Sequence, residues 1–475
     1  MSLESDTPPP RHKPSIELTR PQRIAHRRGG TFILIAALLG VGVAAWWLMK
    51  PAPPPPAAES ATEQPLPHVE PGRFTAAVTH FAGDAGNQQA QLIVNALLGV
   101  GDGRAVQFDR TIGVDDGAPV ADHDTARKLL AQSGASVLIW GALSTREGEM
   151  SPDLYWTLAA ELQDGGRWGR YQPPETLHLP LIGASDLADL LRLLVITQAA
   201  EFHANEGAMD DAFPAILDRV RAFAYGSRQR PGMSKRARID VQFVLAYVLA
   251  AYGEQTQQTK LVQEAVTLYR ELLAGRPADA EPLRWAMLQN NLANALWMVG
   301  EHESELPVQR ANLERALAVL QSALLDVSRE RTPLAWAMIE SNLGIVLTSL
   351  GVRQVGPNRL EAAAAAFRDA LQERTRAQVP FAFALTQTKL GDALRELGTR
   401  TKQAAVVCRA VDSHLEAWQA LTAAGKPPAT RVTAAADAVA RDFAVMKESF
   451  PARDAENCRA VHSAGLQQLE RGAAT

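Results

Sequence analysis

The sharpest chemistry in this chain belongs to its two cysteines, Cys408 and Cys458. Outside the cytoplasm thiols tend to pair, and in a stack of helix pairs every second helix is a parallel neighbour, so the two can meet as a disulfide. The other reading is two buried free thiols, with Cys408 aligned to a packing series of Tyr269, Leu320 and Phe367. Two cysteines exclude a disulfide-rich scaffold and any four-thiolate zinc site. The acidic stretch of Asp115, Asp116, Asp122, His123 and Asp124 carries oxygen ligands suited to calcium, but the loop spacing is missing. It reads as a solvated loop in which Asp122 or Asp124 caps the helix that follows. Gly99, Gly101 and Gly103 form a connector from helix to strand, the reverse of a phosphate cradle. The chain has no phosphate loop, no nucleophile elbow and no His-Glu-x-x-His pair. No catalytic, cofactor-binding or metal-ligating residue is therefore assigned, and the expected role is non-catalytic, without a cofactor.

Those residues need elements to position them, and composition bounds the elements. The 475 residues are 47% hydrophobic and 21% charged, as in ordinary globular chains. Lys plus Arg is 48 and Asp plus Glu is 52, a net charge of -4 that argues against a general nucleic-acid binder. Residues 31–49 (TFILIAALLGVGVAAWWLM) carry no charge. At ~1.5 Å per residue they span roughly 28 Å, close to the hydrocarbon thickness of a bilayer. Trp46 and Trp47 mark an interface, and Arg20, Arg23, Arg27 and Arg28 precede the span, which places residues 1–30 in the cytoplasm and the rest outside it. The apolar core is longer than that of a cleaved signal peptide, so an uncleaved signal-anchor is expected. Residues 51–71 hold eight prolines and read as an extended spacer.

From Gly72 the pattern turns to strands near 73–81, 105–112, 135–144, 153–162 and 175–181. Helices are expected over 86–100, 123–134 and 186–204. Gly134 should stop the second helix in a positive-φ conformation, and the run Val137–Trp140 has the character of a strand buried on both faces. Order βαβα followed by three strands implies a mixed sheet covered by helices. A first strand ending in Phe81, Gly83 and Asp84, then a helix, then Ser133 through Gly141 (SGASVLIWG), resembles the TolB-like amino-terminal domain. That resemblance implies an α/β fold and a bacterial envelope setting, and no known catalytic residues.

The remaining chain repeats. Segments 284–300, 335–351 and 382–398 end in Gly300, Gly351 and Gly398, 51 and 47 residues apart, and a weaker copy ends in Gly253. Second helices lie between them at 263–273, 314–324 and 361–371, and Pro282, Pro333 and Pro380 precede the next first helix. Hairpins with apolar stripes must stack, and small residues such as Ala293, Gly344, Ala370 and Gly391 permit close approach. With Leu-Gly-x-x-Leu on first helices and Ala363, Phe367 and Ala370 on a second, the region resembles tetratricopeptide repeats, although the unit is longer than that family's. Helices at 402–424, 429–449 and 453–472 should cap the stack with a more polar outer face.

The resemblance implies a concave partner-binding face lined by Asn290, Asn294, Ser341, Asn342, Thr388, Lys389, Asp392 and Arg395. It also raises a clamp for a partner's terminal carboxylate. Asn294, Asn342 and Lys389 are read at matching repeat positions, with Asn290 replacing a lysine and Leu385 replacing a second cation. The expected fold class is α+β multi-domain: one transmembrane helix, a small α/β (βαβαβββ) domain and an all-α tetratricopeptide-like solenoid. The divisions are 1–30, 31–49, 50–71, 72–205 and 206–475. The expected function is an inner-membrane, single-pass scaffold with periplasmic domains, whose partners are a protein or peptide in the groove and the lipid bilayer through residues 31–49. The alternative is a sensor whose α/β domain binds a small molecule.

Overall fold

The computed structural model describes residues 65–70, 74–98, 104–112, 119–146, 149–159, 176–178, 184–202, 212–227, 233–276, 282–424 and 429–472. The expected cytoplasmic tail, the 31–49 span and most of the proline-rich spacer lie outside the described residues. Pro65 to Thr475 form one compact unit.

The first part is a five-stranded sheet. Its elements are β1 (Thr75–His80), α1 (Gln88–Leu97), β2 (Arg104–Thr111), α2 (Pro119–Ser133), β3 (Val137–Arg146), β4 (Glu149–Leu158), β5 (Thr176–His178) and α3 (Ala184–Phe202). The order is β2-β1-β3-β4-β5, parallel across the first three strands and antiparallel across the last three. Alternation along β3 explains the unbroken apolar run. Val137 and Ile139 pack with Ile93, Val94 and Leu97 of α1 and with Leu190 and Leu194 of α3. Leu138 and Trp140 face the opposite layer, with Ala126 and Leu130 of α2. Gly134 ends α2 at φ +78°, where a side chain would be strained. Gly83 also has positive φ, and the Asp84 carboxylate accepts from the Gln89 N–H at 2.8 Å, capping α1. Two residues that carried the family resemblance thus have local structural work.

Three expectations are corrected here. β4 begins at Glu149, four residues earlier than read from the sequence, because its antiparallel pairing with β3 runs out to Arg146 opposite Glu149. α2 begins at Pro119, so Asp122 and Asp124 lie inside it and neither is its cap. The end of the spacer is docked: Val69 is buried against the α2 layer, and its N–H donates to the Ser133 carbonyl at 3.1 Å.

A helical region follows. Its elements are α4 (Phe213–Gly226), α5 (Lys235–Gln255), α6 (Thr259–Ala274), α7 (Pro282–His302), α8 (Leu306–Asp326), α9 (Pro333–Val352), α10 (Asn358–Glu373), α11 (Pro380–Thr401), α12 (Ala404–Ala423), α13 (Ala429–Ser449), α14 (Ala452–Val461) and α15 (Ser463–Gly472). Each first helix (α5, α7, α9, α11) packs on its own second helix and on the one before or after it. Pro282, Pro333 and Pro380 are the first residues of α7, α9 and α11, where proline lacks only an N–H that would be unpaired. The terminal glycines mark close contacts between the two helices of each hairpin. A Cβ on Gly253 would sit 2.8 Å from Val262, on Gly300 3.0 Å from Leu313, on Gly351 2.9 Å from Leu360 and on Gly398 2.7 Å from Val407. The last expected helix is two helices, α14 and α15, broken at His462; α15 buries no residue.

The core is continuous from the sheet into the repeats: α1, α3, α5 and α7 share one apolar cluster. Asp189 of α3 locks α4 through a bidentate pair with Arg219 at 2.6 and 2.9 Å. Among the described helices, α9 is long and apolar enough to cross a membrane, but 61% of its most apolar window is buried inside the protein. Its apolarity is explained by neighbours on several sides.

Candidate functional site

The polar residues expected to line a groove are largely interior. Asn290, Asn294, Ser341 and Asn342 are all buried. The Asn342 amide donates to Asn290 Oδ1 at 2.7 Å, joining α9 to α7. The hydroxyls of Ser341 and Thr386 approach to 3.4 Å, and buried Arg374 donates to Thr386 Oγ1 at 3.0 Å. These contacts form a polar ladder between successive first helices. Burying such groups is tolerable because each finds a partner, and amide pairs that fit only one alignment help to specify register.

The glycines also correct the alignment of the carboxylate clamp. Asn291, Asn342 and Lys389 each stand nine residues before a terminal glycine, whereas Asn294 aligns with Asp392. On α11 the candidate residues are half-exposed and mutually paired. Arg395 binds Asp392 at 2.6 Å and Asp442 of α13 at 2.9 Å, and Lys389 Nζ lies 3.9 Å from Asp392. Thr388 donates to its own helix at Ala384. Cations neutralised by internal acids are poor receptors for a terminal carboxylate, so the arrangement does not support the clamp.

Beneath this group lies a residue whose role sequence reading missed. The packing series Tyr269, Leu320, Phe367 continues, at the same spacing, to His414. Cys408 is six residues short of it, which corrects the alignment given above. Gly344 faces Phe367, and Gly391 faces the His414 ring, where a Cβ would overlap Nε2. His414 is fully buried. Its Nδ1 lies 2.6 Å from Asp442 Oδ2 and its Nε2 lies 3.1 Å from the Thr388 carbonyl. Both partners are acceptors, an arrangement satisfied in full only by the charged ring with a proton on each nitrogen. Burial opposes that charge, but hydrogen bonds and charges from Asp392 and Asp442 outweigh it and raise the His414 pKa. Burial likewise opposes the Asp392 carboxylate, and His414, Lys389 and Arg395 overcome it, holding the group well below the usual carboxylate range. One repeat earlier, burial with help from the Asp369 charge pushes Glu340 up to about 7.

Two arginine pairs also recur from repeat to repeat and escaped sequence reading, one at the 47-residue spacing of the glycines and one at 53, two residues longer than its repeat. Arg276 reaches Asp326 at 2.9 Å and Arg329 reaches Glu373 at 2.6 Å. Their guanidinium groups lie 6.0 and 5.1 Å from the ring centres of Trp285 and Trp336. Arg353 pairs with Glu301 at 2.9 Å, and Arg400, 47 residues on, donates to the Gln354 carbonyl at 2.9 Å. Their 47- and 53-residue spacing was the available signal.

Cys408 and Cys458 form a disulfide with Cα atoms 5.7 Å apart, joining α12 to α14. His462 stands beside it. Its Nδ1 lies 3.8 Å from Cys408 Sγ, 3.6 Å from Cys458 Sγ and 2.9 Å from the Cys458 carbonyl. Its Nε2 lies 3.7 Å from Asp412. The group borders a cavity of about 510 Å³ also lined by Arg409, Asn457 and Met446.

In the α/β domain, His123 does not belong to an acidic loop. It is buried, with Nδ1 2.8 Å from Thr157 Oγ1, which also accepts from Trp140 Nε1 at 2.8 Å. Asp124 pairs with Arg127 at 2.7 Å. Asp115, Asp116 and the glycines at 99, 101 and 103 lie outside the described residues.

No family model matches the chain, and no curated protein matches it. Among solved structures it is similar to BtubC (BKLC) from P. vanneervenii, at 17% identity and a TM-score of 0.33, over 54% of this chain and 88% of that one. A likeness of that size carries no argument about this protein.

Proposed function

We propose that this protein is a non-catalytic interaction scaffold, held to the inner membrane by residues 31–49 and displaying a TolB-like α/β domain and a tetratricopeptide-like solenoid in the periplasm of a bacterium. The observation that carries the reading is the repeated helical hairpin in one glycine-marked register. Such stacks generate an extended surface from a small unit. The buried polar groups found here are engaged in holding hairpins together, which leaves partner recognition to the half-exposed faces of the first helices, around Thr388, Lys389, Asp392 and Arg395. Proximity labelling from the carboxy-terminal end in living cells, followed by capture from detergent-solubilised membranes, tests it. A reproducible set of envelope proteins, reduced when Lys389 and Asp392 are reversed in charge together, supports the scaffold. Repeated capture of no partner refutes it.

A further inference from the structure

We propose that the Cys408, Cys458 and His462 cluster is a redox-gated metal site, which in its dithiol form takes a thiophilic divalent cation of the zinc type. The inference goes beyond the scaffold reading and does not depend on it. The three ligand atoms lie within 4.8 Å of one another. In a tetrahedral site with Zn–S of ~2.3 Å and Zn–N of ~2.0 Å, each S···N edge is ~3.5 Å. The observed edges from His462 Nδ1 are 3.6 and 3.8 Å, so two of the three edges already exist. The third forms when the sulfur atoms part to ~3.8 Å, the S···S edge of the same tetrahedron.

The surroundings also suit a metal. Asp412 faces His462 Nε2 at 3.7 Å, the carboxylate–histidine arrangement that keeps a proton on one ring nitrogen and leaves the other for the metal. In the disulfide form Nδ1 is within hydrogen-bond distance of the Cys458 carbonyl; when the metal takes that place the Nδ1 proton leaves to solvent and the neutral ring carries its one proton on Nε2, facing Asp412. Cys408, Cys458 and His462 all line the same cavity of about 510 Å³, which has room for a water as the fourth ligand. Helices α12 and α14 supply one cysteine each and α14 leads directly to His462, so the ligands stand on three adjoining segments already packed together.

The steps balance. A dithiol, small or protein-borne, transfers two electrons and two protons to the Cys408–Cys458 bond, leaves as its own disulfide, and frees two thiols. The cation then displaces both thiol protons to solvent and binds the two thiolates and the imidazole. With the disulfide closed there are no thiolates and no site.

The test uses the full-length chain in detergent, reduced with a phosphine that is then removed without air. Cobalt(II) is titrated as the optical probe, then zinc is added in competition. The expected result is one equivalent of cobalt, with a thiolate charge-transfer band and the visible bands of tetrahedral cobalt, both erased by zinc. The oxidised chain shows neither band. His462→Ala should weaken cobalt at least ten-fold while far-ultraviolet circular dichroism is unchanged. If reduction alone loosens α14 and α15, zinc should restore the melting temperature of the reduced chain and leave that of the oxidised chain unmoved. A reduced chain that gives no cobalt bands and no zinc-dependent melting shift overturns the proposal. So does equal affinity in His462→Ala, or an unchanged spectrum in the Cys408→Ser, Cys458→Ser double variant.

Discussion

Gly344 tests the packing logic of the repeats. An added Cβ would lie 2.6 Å from Phe367 Cε1 and 2.8 Å from both Cδ1 and Cζ, where ordinary carbon contacts are ~3.5–4.0 Å. Phe367 is fully buried, so ring or helix must shift by about 1 Å. Overpacking of that kind costs ~1–3 kcal/mol, and replacing a mid-helix glycine returns ~1 kcal/mol of helix propensity. Gly344→Ala should therefore destabilise by up to about 2 kcal/mol. The aligned positions of the preceding repeat are Ala293 and Leu320, both buried. In a Phe367→Leu background the pair matches that repeat, and the same Gly344→Ala change should be neutral or stabilising. The assay is a double-mutant cycle by urea denaturation, followed by circular dichroism and by intrinsic tryptophan fluorescence. A coupling of at least ~1 kcal/mol is expected. If Gly344→Ala costs the same in both backgrounds, the clash does not involve Phe367 and the register built on the glycines is wrong.

Three further outcomes are expected. The disulfide closes a loop of 50 residues, for which chain entropy gives ~4 kcal/mol; the Cys408→Ser, Cys458→Ser variant should unfold its carboxy-terminal helices at clearly lower urea than the parent chain, and identical curves for the variant and the oxidised parent would contradict this. The folded His414 pKa is raised, so its contribution is complete below the unfolded value of ~6.5 and fades as pH rises through the folded value, while the depressed Asp392 contributes above ~3.9 and fades as pH falls. Urea midpoints of the carboxy-terminal repeats should therefore be highest between ~pH 4 and 6.5, and a His414→Gln variant that keeps the same alkaline decline would refute the assignment. Glu340, pushed up to about 7, opposes folding once ionised; Glu340→Gln should stabilise by ~1–2 kcal/mol at pH 8 and by little at pH 5, which parallel melts at the two pH values would show.

The architecture was largely legible because it rests on periodicity. The terminal glycines, the helix-starting prolines and the run Val137–Trp140 are local signals of close approach, helix entry and two-sided burial, and each has that role in the fold. Polar residues were harder to place. Asn290, Ser341 and Asn342 look like groove residues because polarity usually means water, but the first helices approach closely enough to bury them on one another. His414 was invisible as a core residue because its neighbours in the packing series are Tyr269, Leu320 and Phe367. A histidine can stand there only with Asp442 supplied from α13, 28 residues away. His462 was passed over among ten scattered histidines. Its four-residue spacing from Cys458, one helical turn, was the available signal; the approach of Cys408 from α12 was not visible. Contacts between distant segments decide such cases, and no spacing rule announces them.

The placement of the repeats outside the cytoplasm on a single anchor is the claim on which the scaffold role depends. It is tested most directly by fusing, after Thr475, either an enzyme active only when exported or a fluorophore that matures only in the cytosol. Activity of the exported reporter, lost when the arginines at 20, 23, 27 and 28 are moved to the other side of the 31–49 span, is the expected result. Fluorescence from the cytosolic reporter alone would contradict it.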